Sequence, residues 1–145
     1  QFYRKQYGFN AISVMPANLY GINDNFNIEQ CHVIPALIKK FHDAQELNLS
    51  SVSCFGDGTP RREFLLVDDL VDADISIKDL AYLIKDLTGF RGELVWDINK
   101  PNGTPVRKLD VTKIKALGWE ASMELKEGLQ QTYEWFLKSK KDIRK

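Results

Sequence analysis

Apolar residues in this chain come in two forms, brief continuous runs and longer stripes at three- and four-residue spacing, and few folds accept both. Ala11-Ile12-Ser13-Val14-Met15 ends at Pro16, and an almost unbroken apolar run of this length is typical of a strand covered on both faces. Residues 52–55, 64–67 and 94–96 are further runs of this kind. Between them Val33, Ala36, Leu37, Phe41 and Ala44 recur at helical spacing over residues 32–44, with Pro35 in the first turn, where no amide is needed. A second stripe, Ile77, Leu80, Ala81, Ile84 and Leu87, starts at the capping box Ser76-Ile77-Lys78-Asp79 and stops at Gly89. Strands alternating with amphipathic helices predict an α/β fold on a parallel sheet, with residues 11–15 as an interior strand.

The tail adds a short helix ended by Gly118 and a longer one capped by Ser122, whose buried stripe is Leu125, Leu129, Tyr133, Phe136 and Leu137. A chain of 145 residues holds one domain with a real core and no second complete one. Twenty basic residues cancel twenty acidic ones, so no global field draws nucleic acid or an anionic membrane, and an anionic ligand needs a local cluster. The longest apolar stretch, residues 63–70, is broken by charge and falls far short of the roughly 20 residues a membrane helix needs. Residues 1–6 read as the end of a helix and lack a signal-peptide cleavage pattern, so the chain is expected to begin inside a larger protein. Cys31 and Cys54 have no metal-ligand spacing and read as reduced thiols of a cytoplasmic protein. His32 and His42 lack neighbours in a ligand pattern, so no metal is expected.

Polar groups concentrate in three turn-rich stretches, residues 18–32, 56–62 and 100–108, which together resemble one anion site. Arg62 follows a glycine-rich turn and carries the planar donor fork suited to a diphosphate, although a surface arginine is the commoner fate. Lys39 falls nearly beneath His32 on the helix that His32 opens and Lys40 sits about a quarter-turn away, and geometry does not choose between them. His32 at a helix start beside turn-rich sequence is a general acid or base, or simply a capping histidine. Phe55 beside the glycine turn either stacks on a purine or packs.

Read in order, Ser13-Val14-Met15-Pro16-Ala17-Asn18-Leu19-Tyr20-Gly21, Asp24-Asn25-Phe26, His32-Val33-Ile34-Pro35-Ala36-Leu37 and the stretch from Gly58-Thr59-Pro60-Arg61-Arg62 to Asp68-Asp69 closely resemble the GDP-L-fucose synthases. The loop of residues 97–108 and the closing Gly128 to Leu137 segment are similar to the same family, so the likeness covers nearly the whole chain. The Arg62 to Asp69 pattern is shared across the extended short-chain dehydrogenase superfamily; the Asn-Leu-Tyr-Gly, Asp-Asn-Phe and His-Val-Ile-Pro-Ala-Leu set is narrower.

This resemblance implies an NADPH-dependent epimerase-reductase that converts GDP-4-keto-6-deoxy-mannose to GDP-L-fucose, a cytoplasmic homodimer when intact. It implies that residues 1–20 are the last helix and strand of an NADP-binding Rossmann domain and residues 21–145 a smaller substrate-binding region. By the same likeness His32 matches the epimerising acid/base, also facing the cofactor, and Pro16, Ala17, Asn18 and Leu19 match the segment lining the nicotinamide. Lys40, Phe55, Arg62 and Arg107 match substrate positions for phosphate and base, with Asn102 a further candidate in the same loop. Some members carry arginine at Lys40, so the charge persists there without the bidentate fork. The dinucleotide fingerprint, the catalytic cysteine and the Tyr-x-x-x-Lys pair are expected ahead of Gln1, and neither Cys31 nor Cys54 matches that cysteine. Asp74 runs straight into Ile75 where the family inserts a helix and a strand, so a break in the chain is expected there, and this piece alone is expected to be inactive. Another nucleotide-sugar epimerase or dehydratase of the superfamily, or a noncatalytic binding or assembly fragment, are the alternative readings.

Overall fold

β3 (Arg61–Leu66) gathers three neighbours into a four-stranded sheet. The computed structural model in which this is seen describes residues 2–9, 18–68, 73–107, 112–118 and 123–140. Residues 11–15, expected as an interior strand, and Pro16, Ala17 and Ser122 lie outside the described residues. β1 (Asn18–Tyr20) pairs parallel with the second half of β3, Asn18 opposite Phe64 and Tyr20 opposite Leu66. β6 (Val106–Arg107) pairs parallel with its first two residues, and β4 (Ala73–Ser76) runs antiparallel along the opposite edge. A second sheet joins β2 (Ser51–Phe55) and β5 (Glu93–Asp97) in parallel, with Phe55 opposite Asp97. The fold is therefore mixed α/β, with parallel pairs in both sheets and β4 as the antiparallel member.

Asp74 and Ile75, the two sides of the expected break, are successive residues of β4 and face Glu63 and Arg62 of β3.

The helices bury the sheets' apolar side. In α2 (Val33–Glu46) the core face is Ile34, Leu37, Ile38 and Phe41, while Val33 and Ala36, expected inside, are only half-buried. The stripe is rotated toward the face that packs on α3 (Ile77–Thr88). α3 begins as the capping box requires: the Asp79 amide donates to Ser76 Oγ at 3.0 Å, and that hydroxyl donates to Asp79 Oδ2 at 2.6 Å. It ends at Gly89, whose φ of 73° is the left-handed conformation that favours glycine. α5 (Leu125–Ser139) buries Gly128, Leu129, Thr132 and Phe136. Leu137, expected in that stripe, is 45% exposed because it lies about 100° around the helix from Phe136. The helix N-cap is Glu124. Phe136 stacks at 4.7 Å on the buried Phe26 of the loop after β1, and truncating either ring would cost about 3–5 kcal/mol. Two shorter helices, α1 (Phe2–Tyr7) and α4 (Thr112–Lys115), complete the described elements. Among the described residues no helix is long and apolar enough to cross a membrane.

α2 and α5 are joined by a polar clasp inside this apolar contact. His42 is 4% exposed; its Nδ1 lies 3.0 Å from Tyr133 Oη, and Lys140 Nζ lies 2.9 Å from its Nε2. An ammonium only donates, so Nε2 accepts, Nδ1–H donates to the tyrosine, and the ring is neutral. Burial and then the Lys140 charge hold its pKa below the usual histidine value, against the opposing pull of Glu46 and Asp43. The unfolded chain therefore binds the proton more readily than the folded one. The contribution of His42 to stability is present above the unfolded value of about 6.5 and is lost as pH falls through that value toward the lower folded one. Thermal unfolding measured between pH 7.5 and pH 5.5 is expected to show a drop in Tm that is smaller in His42→Gln. An equal drop in the two proteins would remove His42 as its cause.

Candidate functional site

Parallel pairing brings the carboxyl ends of β2 and β5 to the same edge, and the turns that follow them lock together. The Gly56 amide donates to Asp97 O at 2.9 Å, and the Asp57 amide donates to Asn102 Oδ1 at 2.8 Å. Gly56 has a φ of 75°, and a Cβ there would lie 2.0 Å from Asn102 Oδ1, so the turn needs glycine on both counts. Asp57 in turn accepts from the Thr59 amide at 2.9 Å and from its hydroxyl at 2.7 Å. Those bonds, with one from Asn102, hold its carboxyl below the usual range. Asn102, matched to a substrate position, is thus a clamp on the Gly56–Asp57 turn in this structure.

Phe55, at the end of β2, is 64% exposed. Lys40 Nζ sits 5.1 Å and Lys100 Nζ 5.7 Å from its ring centre, within cation–π range. The choice between the two helix lysines, open in the sequence, is made by their partners. Lys39 is ion-paired to Asp43 at 2.9 Å, whereas Lys40 reaches over to Phe55 and donates to Ser53 O at 3.2 Å.

The two arginines of β3 divide in the same way. Arg61 donates from Nε to Asp74 Oδ1 and from Nη2 to Asp74 O, both at 3.0 Å. Arg62 points to the other face, half-buried, with Nη1 on Arg61 O at 2.7 Å and no carboxylate among the described residues. Its register partner on β6 is Arg107, and paired residues of neighbouring strands, about 4.8 Å apart, share a sheet face. Like charges so placed repel unless an anion lies between them. Gly103 closes the circuit, since a Cβ there would lie 3.4 Å from Arg62 Nη2. Lys40, Phe55, Asn102, Arg62 and Arg107 therefore belong to one connected region.

His32, Asn18 and Leu19 make no described contact with that region. His32 is the extended N-cap of α2, exposed, with no capping hydrogen bond from its side chain. Asp24 lies close by: burial raises its carboxyl pKa, while the Asn25 amide at 2.7 Å and the charge of His32 lower it. Its Oδ2 is buried without a hydrogen-bond partner. Asn18 Nδ2 donates to Glu63 O at 2.9 Å, and Leu19 is 39% exposed. Burial raises both cysteine thiols above their usual pKa, and both cysteines are free. His42, Asp43 and Glu46 bring three potential ligand atoms within 4.8 Å of one another, but Lys140 already places an ammonium there.

Two residues beside the site escaped the reading of the sequence. Lys100 lacks a motif of its own, although it opens the Pro101-Asn102-Gly103 loop; Asp24 stood in the Asp-Asn-Phe signature without a role.

This arrangement accompanies membership of a known family. Residues 1–77, more than half of the chain, match the NAD dependent epimerase/dehydratase family, and the chain belongs to it. Its similarity to GDP-L-fucose synthases extends over nearly all of its length. It is 46% identical to probable GDP-L-fucose synthase 1 of Oryza sativa subsp. japonica, covering 96% of this chain and 48% of that protein. It is 40% identical to GDP-L-fucose synthase of Escherichia coli (strain K12), covering 98% and 53%. The crystal structure of a GDP-L-fucose synthetase from Naegleria fowleri bound to NADP superimposes with a TM-score of 0.83 at 29% identity, covering 91% and 48%. The chain thus spans about half the length of the curated relatives it matches. The rice alignment runs over 159 positions against a chain of 145 residues, so the relative carries residues within the matched region that this chain lacks.

Replacing Asn102 with Ala removes the acceptor of the Asp57 amide, a hydrogen bond worth about 1 kcal/mol. Amide hydrogen exchange at Asp57 is expected to quicken about fivefold. Unchanged exchange would show that the turn holds without the clamp.

Proposed function

We propose that this chain is the substrate-binding part of an NADPH-dependent enzyme that epimerises GDP-4-keto-6-deoxy-D-mannose and reduces it to GDP-L-fucose. The observation that carries the reading is the Arg62–Arg107 pair beside the exposed, lysine-flanked Phe55. A nucleoside diphosphate presents what these groups lack: two phosphates for two adjacent guanidinium forks and a flat base for an aromatic ring. Lys40 adds charge at the join between phosphate and base.

His32 is the acid/base of the epimerisation. A ketone acidifies the C–H bonds next to it, and an imidazole titrating near neutral pH can remove and return those protons. Its exposure at the start of α2 leaves the ring open to substrate.

NADPH, when bound, supplies the hydride for reduction. Pro16, Ala17, Asn18 and Leu19 line its nicotinamide end in this reading, with His32 facing it. Leu19 suits that use, being an exposed apolar side chain at the sheet edge, whereas the Asn18 amide holds the Glu63 carbonyl. On the same reading residues 1–20 close the Rossmann domain, residues 21–145 bind the substrate, and the intact protein is a cytoplasmic homodimer. Catalysis belongs to that intact protein, and the present piece alone is inactive.

Two substitutions in the intact protein separate the roles. His32→Gln is expected to leave GDP-sugar affinity in place while slowing solvent deuterium incorporation at the sugar carbons by about 10²–10⁴-fold. Arg62→Ala is expected to weaken GDP binding by roughly 1.5–3 kcal/mol, the worth of a charge-assisted bond to phosphate. Wild-type exchange in the first variant, or undiminished GDP affinity in the second, would strike that residue from the site. Equal affinity for UDP or dTDP would favour another nucleotide-sugar epimerase of the family.

A further inference from the structure

We propose that Lys100 is a specificity residue that reads the 6-oxo edge of a guanine stacked on Phe55. This inference rests on the proposed GDP-sugar function and goes beyond it by naming the group that selects the base.

Phe55 offers a platform that is 64% exposed, with two ammonium groups over it, Lys40 at 5.1 Å and Lys100 at 5.7 Å from the ring centre. They differ in how they are held. Lys40 is anchored in α2 and tied to Ser53 O, beneath the strand end. Lys100 sits in the turn after β5, where its amide bonds to Asp97 O at 3.0 Å, and the aromatic ring is the sole partner described for its ammonium. Its main chain is fixed, and its ammonium is held by the ring face alone among the described residues.

A base that stacks on Phe55 takes a ring face and sets its own edges beside whatever surrounds that ring. Guanine turns two adjacent acceptors, O6 and N7, toward a donor on that side, whereas adenine replaces O6 with an amino group. An ammonium has three donors and no acceptor, so it bonds to the guanine edge and meets the adenine amino group donor to donor. A cation–π contact of this exposed kind is weak, so exchanging the ring face for two base acceptors is favourable. The Asn102 clamp keeps the turn that carries Lys100 against the one that follows Phe55, which holds the ammonium within reach of the base.

The test measures GDP and ADP affinity by calorimetry for the intact wild-type protein, Lys100→Met and Lys100→Arg. Lys100→Met keeps the length and apolar packing of the side chain without its charge. It is expected to lower the preference for GDP over ADP about tenfold, by weakening GDP without a matching loss for ADP, while Lys100→Arg retains the preference. An unchanged GDP-to-ADP ratio in Lys100→Met would overturn the role of Lys100 and leave the GDP-sugar reading standing. Equal losses for both nucleotides would likewise overturn it, by showing a general contribution of charge. A wild-type protein that binds UDP or dTDP as tightly as GDP would overturn both.

Discussion

The two-residue contact between β6 and β3 is the constraint on which the site depends. Strand β3 alternates its faces: Phe64 and Leu66 enter the core, and Arg62 continues that same face at the end where the core stops. Arg61 and Glu63 take the other face, where Asp74 on β4 meets Arg61. Because β1 occupies one edge of β3 only along Phe64 to Leu66, the stretch at Arg61 and Arg62 is left for β6. The result is a second arginine set beside the first at the rim of an apolar core. A half-buried cation at such a rim is screened less by water than one on the open surface, so an anion held there is held more strongly.

What the sequence made legible divides by the range of the forces involved. α3 was readable end to end, because its Ser76 cap, its stripe and Gly89 are all local instructions. β2 and β5 announced themselves as apolar runs. β4 and β6 did not, since Ala73-Asp74-Ile75-Ser76 and Val106-Arg107 are too short and too charged to carry a pattern. They are strands because β3 offers them unpaired edges. The phase of the α2 and α5 stripes was off by a residue or so for the same reason: the face a helix buries is decided by what packs on it. His42 is inside because Tyr133, 91 residues away, receives its proton.

The site was legible to a different degree. Lys40, Phe55, Arg62, Asn102 and Arg107 were singled out by resemblance, and the fold gathers them into one region. Composition and spacing alone left Lys39 and Lys40 equivalent. Only the placement of Asp43 one turn along the helix, and of Phe55 on the neighbouring strand, separates them. The clamp made by Asn102 had no local signature at all, since its partner, the Asp57 amide, is 45 residues earlier.

A net charge of zero conceals how unevenly the charges are matched. In each of two dibasic pairs one member is neutralised inside the molecule, Lys39 by Asp43 and Arg61 by Asp74, and the adjacent member, Lys40 or Arg62, is not. A turn of about 100° along a helix, or of 180° along a strand, is enough to send neighbours to different surroundings. Lys100 and Arg107 join Lys40 and Arg62, so that among the described residues four cations without a carboxylate partner border the same pair of turns. Their mutual repulsion is a standing cost to the free protein. An anion that binds among them relieves that cost as well as making its own bonds, so occupancy of the site and stability of the strands around it rise together.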